Sequence, residues 1–535
     1  MNDELPLSRA MLRGCRESLW RKKIADTAGE EITGGQLLMR ALVLRRLLRR
    51  EVLGDDETRV GVLFPPTNGG AIVNASLTLD RRVAVNLNYS ASSDVMNACI
   101  KAAGIRHVLT SRKVIEKLNP ELDAEVVCLE DVRPKLKLTD KLAGVLGAYA
   151  MPVGMLESSL GLAEVSLEDL VTIVFTSGST GVPKGVMLSH RNLMHNVRAI
   201  DEVVHLKPTD VILGILPFFH SFGYTVTMWT PLVLNIQAVY HFSPLDARQV
   251  GKLAKKHGAT ILLSTPTFLR SYLKRVPPED FATLEVVVVG AEKLPMPLSD
   301  AFEARYGVRP SEGYGTTELA PLVSVNVPRS RSYSDKVDSR EGSIGQPVPH
   351  VNARIVHPET REVLGVDEEG MLEISGPNVM MGYLDNPEAT AKVLRDGWYE
   401  TGDIARIDAD GFIFITGRQS RFSKIGGEMV PHVRVEEEIQ QLLGGDDAEE
   451  ALAAVTAVPD ERKGERLVVV HLPMEQSPQE VCEALGKAGL PNIWIPGHDS
   501  FLQVEELPLL GSGKIDLKGL AALALEHFGP SVQTG

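Results

Sequence analysis

The sequence has little cysteine, no excess of positive charge and no long hydrophobic run. Its four cysteines, in a chain of 535 residues, are Cys15, Cys99, Cys128 and Cys482. They form no CxxC pair, which argues against a zinc or redox site of that kind and fits a reducing, cytoplasmic setting. The net charge is −14, so we do not expect nonspecific binding of nucleic acid.

No segment of the sequence has the length of a membrane span. The N-terminal residues contain no apolar stretch of the kind found in signal peptides. The best membrane candidate, residues 142–156, is shorter than the about 20 residues of a span and contains Pro152 and three glycines. We favour a buried or loop segment. The alternative is a shallow contact that makes the protein peripheral at the inner face of a membrane.

The chain is too long for a single hydrophobic core, so two or more domains are expected. Up to about residue 340, apolar runs alternate with helix-like or polar stretches, which predicts a large α/β domain with largely parallel sheets. Residues 36–54 have apolar residues at helical spacing and five arginines. They predict an amphipathic helix packed on a sheet, with a basic membrane-surface helix as the alternative. The predicted strands are 60–64, 83–85, 107–109, 126–129, 170–176, 211–216, 237–240, 260–264 and 284–289, and further helices are 247–257 and 297–306.

The pattern of apolar and polar residues changes after residue 340. Short alternating runs at 352–356, 370–375 and 411–416 are punctuated by glycine, which predicts a small antiparallel or barrel-like β subdomain. A polar stretch follows at 419–421, and we place the domain boundary within 417–421. The prediction is an N-terminal domain of stacked α/β subdomains over 1–418, and a small, mobile α+β C-terminal domain over 419–535.

A loop rich in glycine and hydroxyl groups follows the predicted strand 170–176. Residues 176–185 read TSGSTGVPKG. Glycines let backbone N–H groups turn toward an anion, hydroxyls donate to phosphate oxygens, and Lys184 supplies a compact positive charge. Because Gly185 follows the lysine, the loop does not match the P-loop pattern GxxxxGK[ST]. A flexible surface turn is the alternative, but a strand that leads directly into the loop argues for a phosphate-binding role.

This loop resembles the signature of the adenylate-forming (AMP-binding) superfamily, which includes acyl-CoA synthetases, luciferases and adenylation domains. Further motifs of that superfamily follow in the same order. The resemblance implies an ATP-dependent ligase that uses Mg²⁺. It also implies that Thr176 is catalytic and that the ATP phosphates are held by Thr176, Ser177, Gly178, Ser179, Thr180, Gly181 and Lys184.

The motif YGTTE, which begins at Tyr314, resembles the second core motif of the superfamily. The resemblance implies that Tyr314 stacks by the adenine and that Thr317 lies near the α-phosphate, with Gly315 and Thr316 completing this part of the nucleotide site. It also implies that Glu318 is catalytic and binds Mg²⁺. A carboxylate is the ligand that a hard divalent cation needs beside a triphosphate.

Two further segments resemble the nucleotide-binding motifs of the superfamily. The sequence TGD, which ends at Asp403, resembles the ribose-binding motif, and Arg418 is implied to lie near the ribose and phosphate. One ionised carboxylate can accept hydrogen bonds from both ribose hydroxyls. The second segment, residues 290–292 (Gly290, Ala291 and Glu292), resembles the turn of the superfamily that contacts the adenine through its backbone.

Two residues are implied to act on the reacting groups. His220, in the run LPFFHSFG, is placed near the reacting carboxylate, because an imidazole can orient an oxyanion. Lys514, in LGSGKID, is placed over the active site, where it would bridge the carboxylate and the α-phosphate oxygens and offset the charge that builds as one anion attacks another. A structural histidine and a solvated tail lysine are the alternatives.

The superfamily reaction has two steps. A carboxylate attacks the α-phosphate of Mg·ATP to give an acyl-adenylate and pyrophosphate, and a thiol then attacks the mixed anhydride to give a thioester and AMP. The C-terminal domain rotates between the steps. The resemblance assigns Gly426 and Gly427 to the path of the pantetheine arm. The hinge is usually Asp or Lys, and its equivalent here is Ser420.

Within the superfamily, the chain resembles the acyl-ACP synthetase half of the bifunctional 2-acylglycerophosphoethanolamine acyltransferase/acyl-ACP synthetase. The similarity covers roughly residues 36–520 and is carried by the segments 87–89, 219–223, 290–294, 421–430 and 508–514. It implies a medium- or long-chain fatty acid as substrate and the phosphopantetheine thiol of acyl carrier protein as acceptor. We expect no acyltransferase activity, because there is no room for that domain before the adenylation core. The HxxxxD spacing of His241 and Asp246 is interpreted as coincidence.

Two sets of residues follow from these substrates, with packing or solvation as the alternative for each member. Candidates for an acyl tunnel are Phe218, Phe222, Trp229 and Phe268. Candidates for a basic patch that docks an acidic carrier protein are Arg421, Lys424, Arg434, Arg462, Lys463 and Arg466. The rival functions are a fatty acyl-CoA ligase that uses free CoA, an acyl-AMP ligase that hands its product to a synthase, and a non-catalytic nucleotide-binding protein. The complete set of motif residues argues against the last.

Overall fold

The computed structural model describes residues 5–176, 183–333, 337–418, 421–425, 428–444, 451–460, 462–509 and 515–529. Strands β1 to β13 are Lys22–Asp26, Glu31–Thr33, Arg59–Val62, Val83–Asn86, His107–Thr110, Glu125–Cys128, Leu170–Thr176, Lys184–Ser189, Val211–Gly214, Gln237–Tyr240, Ile261–Ser264, Val286–Val289 and Ser311–Gly315. Strands β14 to β26 are Leu322–Val325, Gln346–Pro347, Asn352–Val356, Gly370–Ser375, Gly382–Tyr383, Leu394–Arg395, Trp398–Ile407, Ile413–Arg418, Phe422–Ile425, Glu428–Pro431, Ala453–Asp460, Gly464–His471 and Phe501–Gln503.

The α-helices lie between and around these strands. Helices α1 to α9 are Leu7–Glu17, Gly34–Glu51, Asn68–Leu79, Ser93–Ala103, Arg112–Leu118, Leu129–Val132, Leu138–Val145, Val153–Ser159 and His190–Val204. Helices α10 to α17 are Thr230–Val233, Ala247–His257, Pro266–Arg275, Met296–Tyr306, Pro387–Val393, His432–Gly444, Pro478–Lys487 and Leu517–Phe528. Two segments of the described chain are π-helices, Leu146–Ala150 and Phe222–Trp229. Short 3₁₀ turns are Arg133–Lys135, Leu162–Glu164, Pro278–Asp280, Thr317–Leu319, Arg329–Arg331 and Asn492–Trp494.

Two large sheets form most of the N-terminal domain, and both are parallel in their middle. One has seven strands in the order β18-β8-β7-β4-β3-β5-β6, and the other has nine in the order β15-β14-β13-β12-β11-β9-β10-β1-β2. The four valines of β12 are all buried, as expected for a strand covered on both faces. The predicted α/β architecture is therefore confirmed. Antiparallel strands extend both sheets, and the hairpin β7–β8 is one of these extensions.

Two further sheets are antiparallel for most of their pairings. Strands β16, β17, β19, β20 and β21 form one, in which the long strand β20 pairs with three neighbours. Strands β22 to β26 form the other, and helices α15 to α17 lie beside it. This part of the chain has its own clusters of buried hydrophobic residues, separate from those of the large sheets. A smaller α+β C-terminal domain is thus present. Its boundary at 418/419 and its mobility stay predictions.

The segment 142–156 corrects the interpretation that we favoured from the sequence. It is helical, running from α7 through the first π-helix into α8. One side packs on α2, where a Cβ added at Gly144 would meet Val43 Cγ2 at 2.4 Å. Leu142 and Met155, in contrast, are 60% and 62% exposed. Hydropathy alone did not show which side of this helical segment is buried and which is exposed. Among the described residues, no helix combines the length and apolarity needed to cross a bilayer.

Candidate functional site

The predicted phosphate loop closes the hairpin β7–β8. Thr176 and Lys184 lie opposite each other in the antiparallel register, and the Thr176 hydroxyl donates a long hydrogen bond of 3.5 Å to the Lys184 carbonyl. The ammonium group of Lys184 lies over the ring of Tyr383, 5.0 Å from its centroid. The strand pairing thus presents the lysine at the base of the loop. The loop residues Ser177, Gly178, Ser179, Thr180 and Gly181 lie outside the described residues.

Tyr383 links the lysine to the predicted metal-binding carboxylate. Its hydroxyl donates a hydrogen bond of 2.9 Å to Oε1 of Glu318. Burial, together with the neighbouring Glu318 carboxylate, raises the pKa of Tyr383 above its ordinary value, so its hydroxyl keeps its proton. Strand β18 positions it by antiparallel pairing with β8, with Tyr383 opposite Val186. Sequence reasoning missed Tyr383. The only local signal is the preceding Gly382, whose φ of +139° suits glycine.

Glu318 lies on the 3₁₀ turn that follows β13, and its carbonyl accepts the Met380 N–H at 2.8 Å. Its carboxylate is half-buried and accepts one bond from Tyr383, so an oxygen is left for a cation. A single carboxylate suits Mg²⁺, which keeps waters and phosphate oxygens as its other ligands. The residues present therefore fit the implied metal. The adjacent Thr317 hydroxyl lies 3.3 Å from that of Ser221.

Asp403 receives two charged or polar donors from neighbouring elements. Arg418 lies opposite it in the β20–β21 register, and the guanidinium Nε donates to Oδ1 at 2.7 Å. The Tyr314 hydroxyl donates to Oδ2. Asp403 is 2% exposed, and its charge raises the pKa of Arg418. Burial, reinforced by Asp403, raises the pKa of Tyr314 well above its ordinary value, so this hydroxyl also stays a donor. Three of the predicted nucleotide-site residues are therefore in direct contact.

The predicted adenine turn leaves the nine-stranded sheet at the end of β12. The Gly290 N–H donates to the Ser264 carbonyl at 3.2 Å, and Ala291 has a φ of +68°. A Cβ at Gly290 would lie 3.3 Å from the Gly313 carbonyl and 3.4 Å from Phe222 Cε1. The turn thus lies against the strand that carries Tyr314. The last residue of the turn, Glu292, accepts the Thr267 hydroxyl at 2.9 Å through its carboxylate. In the YGTTE motif, Gly315 is exposed, and Thr316 Oγ1 is buried without a partner among the described residues.

His220 is exposed two residues before the second π-helix, and its ring lies 4.5 Å from that of Phe219. Of the proposed tunnel residues, Phe218 and Trp229 are fully buried. Phe218 packs edge-on against Tyr240, so core packing explains both aromatic side chains better than a tunnel does. The other two candidates, Phe222 and Phe268, are partly buried at the edge of that core.

In the structure, several residues of the predicted basic patch are buried or paired with acidic side chains. Arg421 is buried and ion-paired with Glu436, which corrects its assignment to an open surface. Arg434 pairs with Glu437 and Glu438. Arg466 lies on strand β25, and its guanidinium donates to the Phe528 carbonyl at the end of helix α17. Arg462 and Lys463 are exposed on the β24–β25 turn.

That turn lies next to the hairpin assigned to the pantetheine path, since Gly464 pairs with Ile425. Gly426 and Gly427 themselves lie outside the described residues, as do the hinge candidate Ser420 and the predicted catalytic Lys514.

Comparison with known proteins identifies the family. The family model of AMP-binding enzymes matches residues 16–384. The chain belongs to the AMP-binding enzyme family. A long-chain-fatty-acid–CoA ligase of Bacillus subtilis (strain 168) is 32% identical over 359 residues, 65% of this chain and 60% of that ligase. The matched part is thus less than two thirds of that relative's length. A feruloyl-CoA synthase of an Amycolatopsis species is 31% identical over 453 residues, 82% of this chain and 88% of that enzyme.

Solved structures agree with the fold. ATP-bound MatB from Rhodopseudomonas palustris has a TM-score of 0.78 at 25% identity, over 98% of this chain and 100% of that chain. O-succinylbenzoate coenzyme A synthetase (MenE) from Bacillus subtilis, in complex with ATP and magnesium, has a TM-score of 0.77 at 20% identity, over 96% and 99% of the two chains. At that identity, the second likeness supports the fold alone.

Proposed function

We propose that this protein is an ATP-dependent, AMP-forming ligase that activates a fatty acid as its acyl-adenylate and transfers the acyl group to a pantetheine thiol. The observation that carries the proposal is the double cluster in which Asp403 contacts Tyr314 and Arg418, while Tyr383 contacts Glu318 and Lys184. One cluster provides a carboxylate for ribose hydroxyls. The other provides a cation and a carboxylate for phosphates and their metal.

Each group has a distinct role in this proposal. Asp403 accepts the ribose hydroxyls, and Arg418 lies between the ribose and the phosphates. Lys184 and the hydroxyls of the 176–181 loop bind the pyrophosphate that leaves. Glu318 would hold Mg²⁺, which supplies charge neutralisation at the phosphate oxygens when bound. His220 orients the substrate carboxylate.

The chemistry needs no protein nucleophile. A carboxylate oxygen attacks the α-phosphorus, the bond from that phosphorus to the bridging oxygen breaks, and pyrophosphate leaves. A thiolate then attacks the acyl carbon and AMP leaves. Positioning and charge stabilisation account for the rate. Lys514 is proposed to bridge the two anions in the first step.

The test is fatty-acid-dependent exchange of pyrophosphate into ATP. Lys514→Ala is expected to lower the rate about a hundredfold or more, because it removes charge stabilisation in the transition state. Lys518→Ala is a matched control, since this exposed lysine lies on α17, four residues further along the chain. Unchanged exchange in Lys514→Ala, or exchange that does not depend on fatty acid, would contradict the proposal.

The thiol acceptor has two candidates with different support. The relatives named above include CoA ligases, which favours free CoA. The resemblance of 421–430 and 508–514 to acyl-ACP synthetases favours acyl carrier protein. The cations Arg462 and Lys463 beside the β22–β23 hairpin suit either a CoA phosphate or an acidic carrier protein.

Competition between CoA and acyl carrier protein, with fatty acids of several lengths, decides between the acceptors. Acyl-ACP as the main product supports the narrower proposal, and acyl-CoA alone excludes it. The paired change Arg462→Gln/Lys463→Gln should raise KM for the true acceptor while leaving pyrophosphate exchange unchanged. Lys252→Gln, an exposed lysine on α11, serves as the control.

A further inference from the structure

An exposed apolar face lies on the helical segment that begins at Leu138. Leu138, Leu142, Val145 and Leu146 follow the spacing i, i+4, i+7 and i+8, which places them on one side of a helix. They are 71%, 60%, 46% and 52% exposed. Trp20, 77% exposed, lies near the C-terminal end of this segment, with its ring 5.3 Å from the ring of Tyr149. We call the surface formed by Leu138, Leu142, Val145 and Leu146 the 138–155 face; the exposed Met155 lies further along the same segment, on α8.

Packing on the opposite side fixes the outward direction of this face. Gly147 lies against α2, where an added Cβ would meet Leu42 Cδ1 at 2.9 Å. Asp140 is fully buried and accepts two hydrogen bonds from Arg50 of α2 at 2.8 and 2.7 Å. Helix α7 is therefore held in one rotational setting. Its leucines project away from the protein because glycines and a bonded carboxylate occupy the inner side.

The charges beside the start of the face are mainly positive, although Glu51 lies 3.9 Å from Lys135 and the exposed Glu130 and Asp131 precede the segment. Between residues 132 and 159 the acidic residues are Asp140 and Glu157, and both are buried and paired with arginine. The basic residues of the same segment are exposed: Arg133, Lys135, Lys137 and Lys141. A protein with a net charge of −14 thus presents apolar side chains flanked by four cations at this place. That combination matches a lipid surface with anionic headgroups, which takes up apolar side chains and attracts cations.

We propose that the 138–155 face docks on the surface of a membrane that contains anionic phospholipids. The contact is peripheral, with leucine and tryptophan side chains entering the headgroup region and lysines meeting the phosphates. It is independent of the proposed catalytic function, and it would bring the enzyme to the lipid phase in which long-chain fatty acids concentrate.

Sedimentation of the full chain with vesicles tests this proposal without any turnover. We expect binding to vesicles of equal parts phosphatidylglycerol and phosphatidylcholine, and much weaker binding to phosphatidylcholine alone. Leu142→Glu/Leu146→Glu should lower the partition coefficient about tenfold or more, because it removes apolar contact and adds two negative charges. Leu245→Glu, at an equally exposed leucine elsewhere (62%), should bind as the unaltered protein does. Thermal unfolding of the variants verifies that they are folded.

Trp20 supplies a second measurement near the face. Trp229 is buried and Trp398 and Trp494 are half-buried, so a blue shift of emission on adding anionic vesicles should come from Trp20 and disappear in Trp20→Phe. Failure to bind anionic vesicles overturns the proposal, and so does binding that Leu142→Glu/Leu146→Glu leaves unchanged. A dimer in light scattering that this double variant dissociates would also overturn it, because the face would then cover a second copy of the chain.

Discussion

The Tyr383 hydroxyl donates a hydrogen bond of 2.9 Å to the carboxylate of Glu318, and the two residues are 65 positions apart. The same tyrosine ring lies under the ammonium group of Lys184. One buried side chain therefore fixes the distance between a carboxylate suited to a metal and a cation suited to phosphate. Because strand β18 carries it to the edge of the seven-stranded sheet, the hairpin and the 3₁₀ turn keep a fixed relationship before ATP binds.

Replacing Tyr383 by phenylalanine should separate its two contacts. The ring under Lys184 remains, while the hydrogen bond to the Glu318 carboxylate is lost. A hydrogen bond to a charged group contributes about 1.5–3 kcal/mol, so we expect the Mg²⁺ concentration at half-maximal pyrophosphate exchange to rise about tenfold or more. Tyr383→Leu, which also removes the ring, should in addition weaken pyrophosphate binding.

Tyr306→Phe is a matched control for this prediction. The Tyr306 hydroxyl donates to the Tyr272 and Val276 carbonyls at 2.8 and 2.9 Å, remote in sequence from the site residues. Its loss should lower stability and leave the Mg²⁺ dependence unchanged. If Tyr383→Phe behaves like this control, Tyr383 serves only packing.

The sequence predicted the strands well where apolar runs are bounded by polar residues, as in 170–176 and 237–240. It predicted Asp403 and Arg418 through motifs, and their pairing across the β20–β21 register follows once the hairpin is known. Tyr383 could not be found in this way, because strand β18 has two residues and its partner β8 lies almost 200 positions earlier. A contact set by sheet pairing leaves no local pattern.

The exposure of the 138–155 face could not be predicted from a local sequence pattern either. Composition identified residues 142–156 as apolar, and we expected burial or a loop. Glycines at 144 and 147 decide the orientation, because they let α7 and the π-helix approach α2 and so turn the larger apolar side chains outward. The identity of the apolar residues did not contain that information. Only the packing of small residues against α2 determines which side of the helix is exposed.

Asp403→Asn should weaken ATP binding without unfolding the protein. The amide keeps the size of the side chain but removes the charge that pairs with Arg418 and accepts the Tyr314 hydroxyl. Loss of charge-assisted hydrogen bonds predicts a KM for ATP raised about tenfold or more. Asp410→Asn is the control, because this exposed aspartate lies on the turn of the same β20–β21 hairpin and pairs with Arg340. Equal KM values for the two variants would exclude Asp403 from the nucleotide site.

His190 should make stability depend on pH. Its Nδ1 accepts the Leu7 N–H at 3.2 Å, and burial lowers the pKa of His190 from 6.5 to about 4. Above pH 6.5 both the folded and unfolded states hold a neutral imidazole. As the pH falls from about 6.5 to about 4, only the unfolded state takes up the proton, so the free energy of unfolding decreases, by up to about 3 kcal/mol.

Urea unfolding across that pH range measures this effect. His190→Gln removes one of the buried imidazoles and should reduce the slope of stability against pH, although it lowers stability at neutral pH; His432, whose pKa burial lowers to about 3, contributes to the slope that remains. His498→Gln, at an exposed histidine of the C-terminal domain, should retain the slope of the unaltered protein. A slope that is the same with and without His190 would show that other groups cause the acid sensitivity.

Lys293 and Glu437 form an ion pair between the two domains. Lys293 directly follows the adenine turn, Glu437 lies on α15, and their charged atoms are 3.1 Å apart. An exposed pair of this kind contributes about 0.2–1 kcal/mol. On the prediction that the C-terminal domain rotates between the two steps, the pair would shift the balance between its orientations by up to about fivefold. Lys293→Glu should therefore change the ratio of pyrophosphate exchange to thioester formation, and Lys293→Glu/Glu437→Lys should restore it.

Salt should reduce the difference in this ratio between Lys293→Glu and the unaltered protein, because exposed charges are screened. Lys252→Glu controls for the change in net charge. A ratio that the charge swap fails to restore would mean that Lys293 acts on the nucleotide and not on the domain orientation.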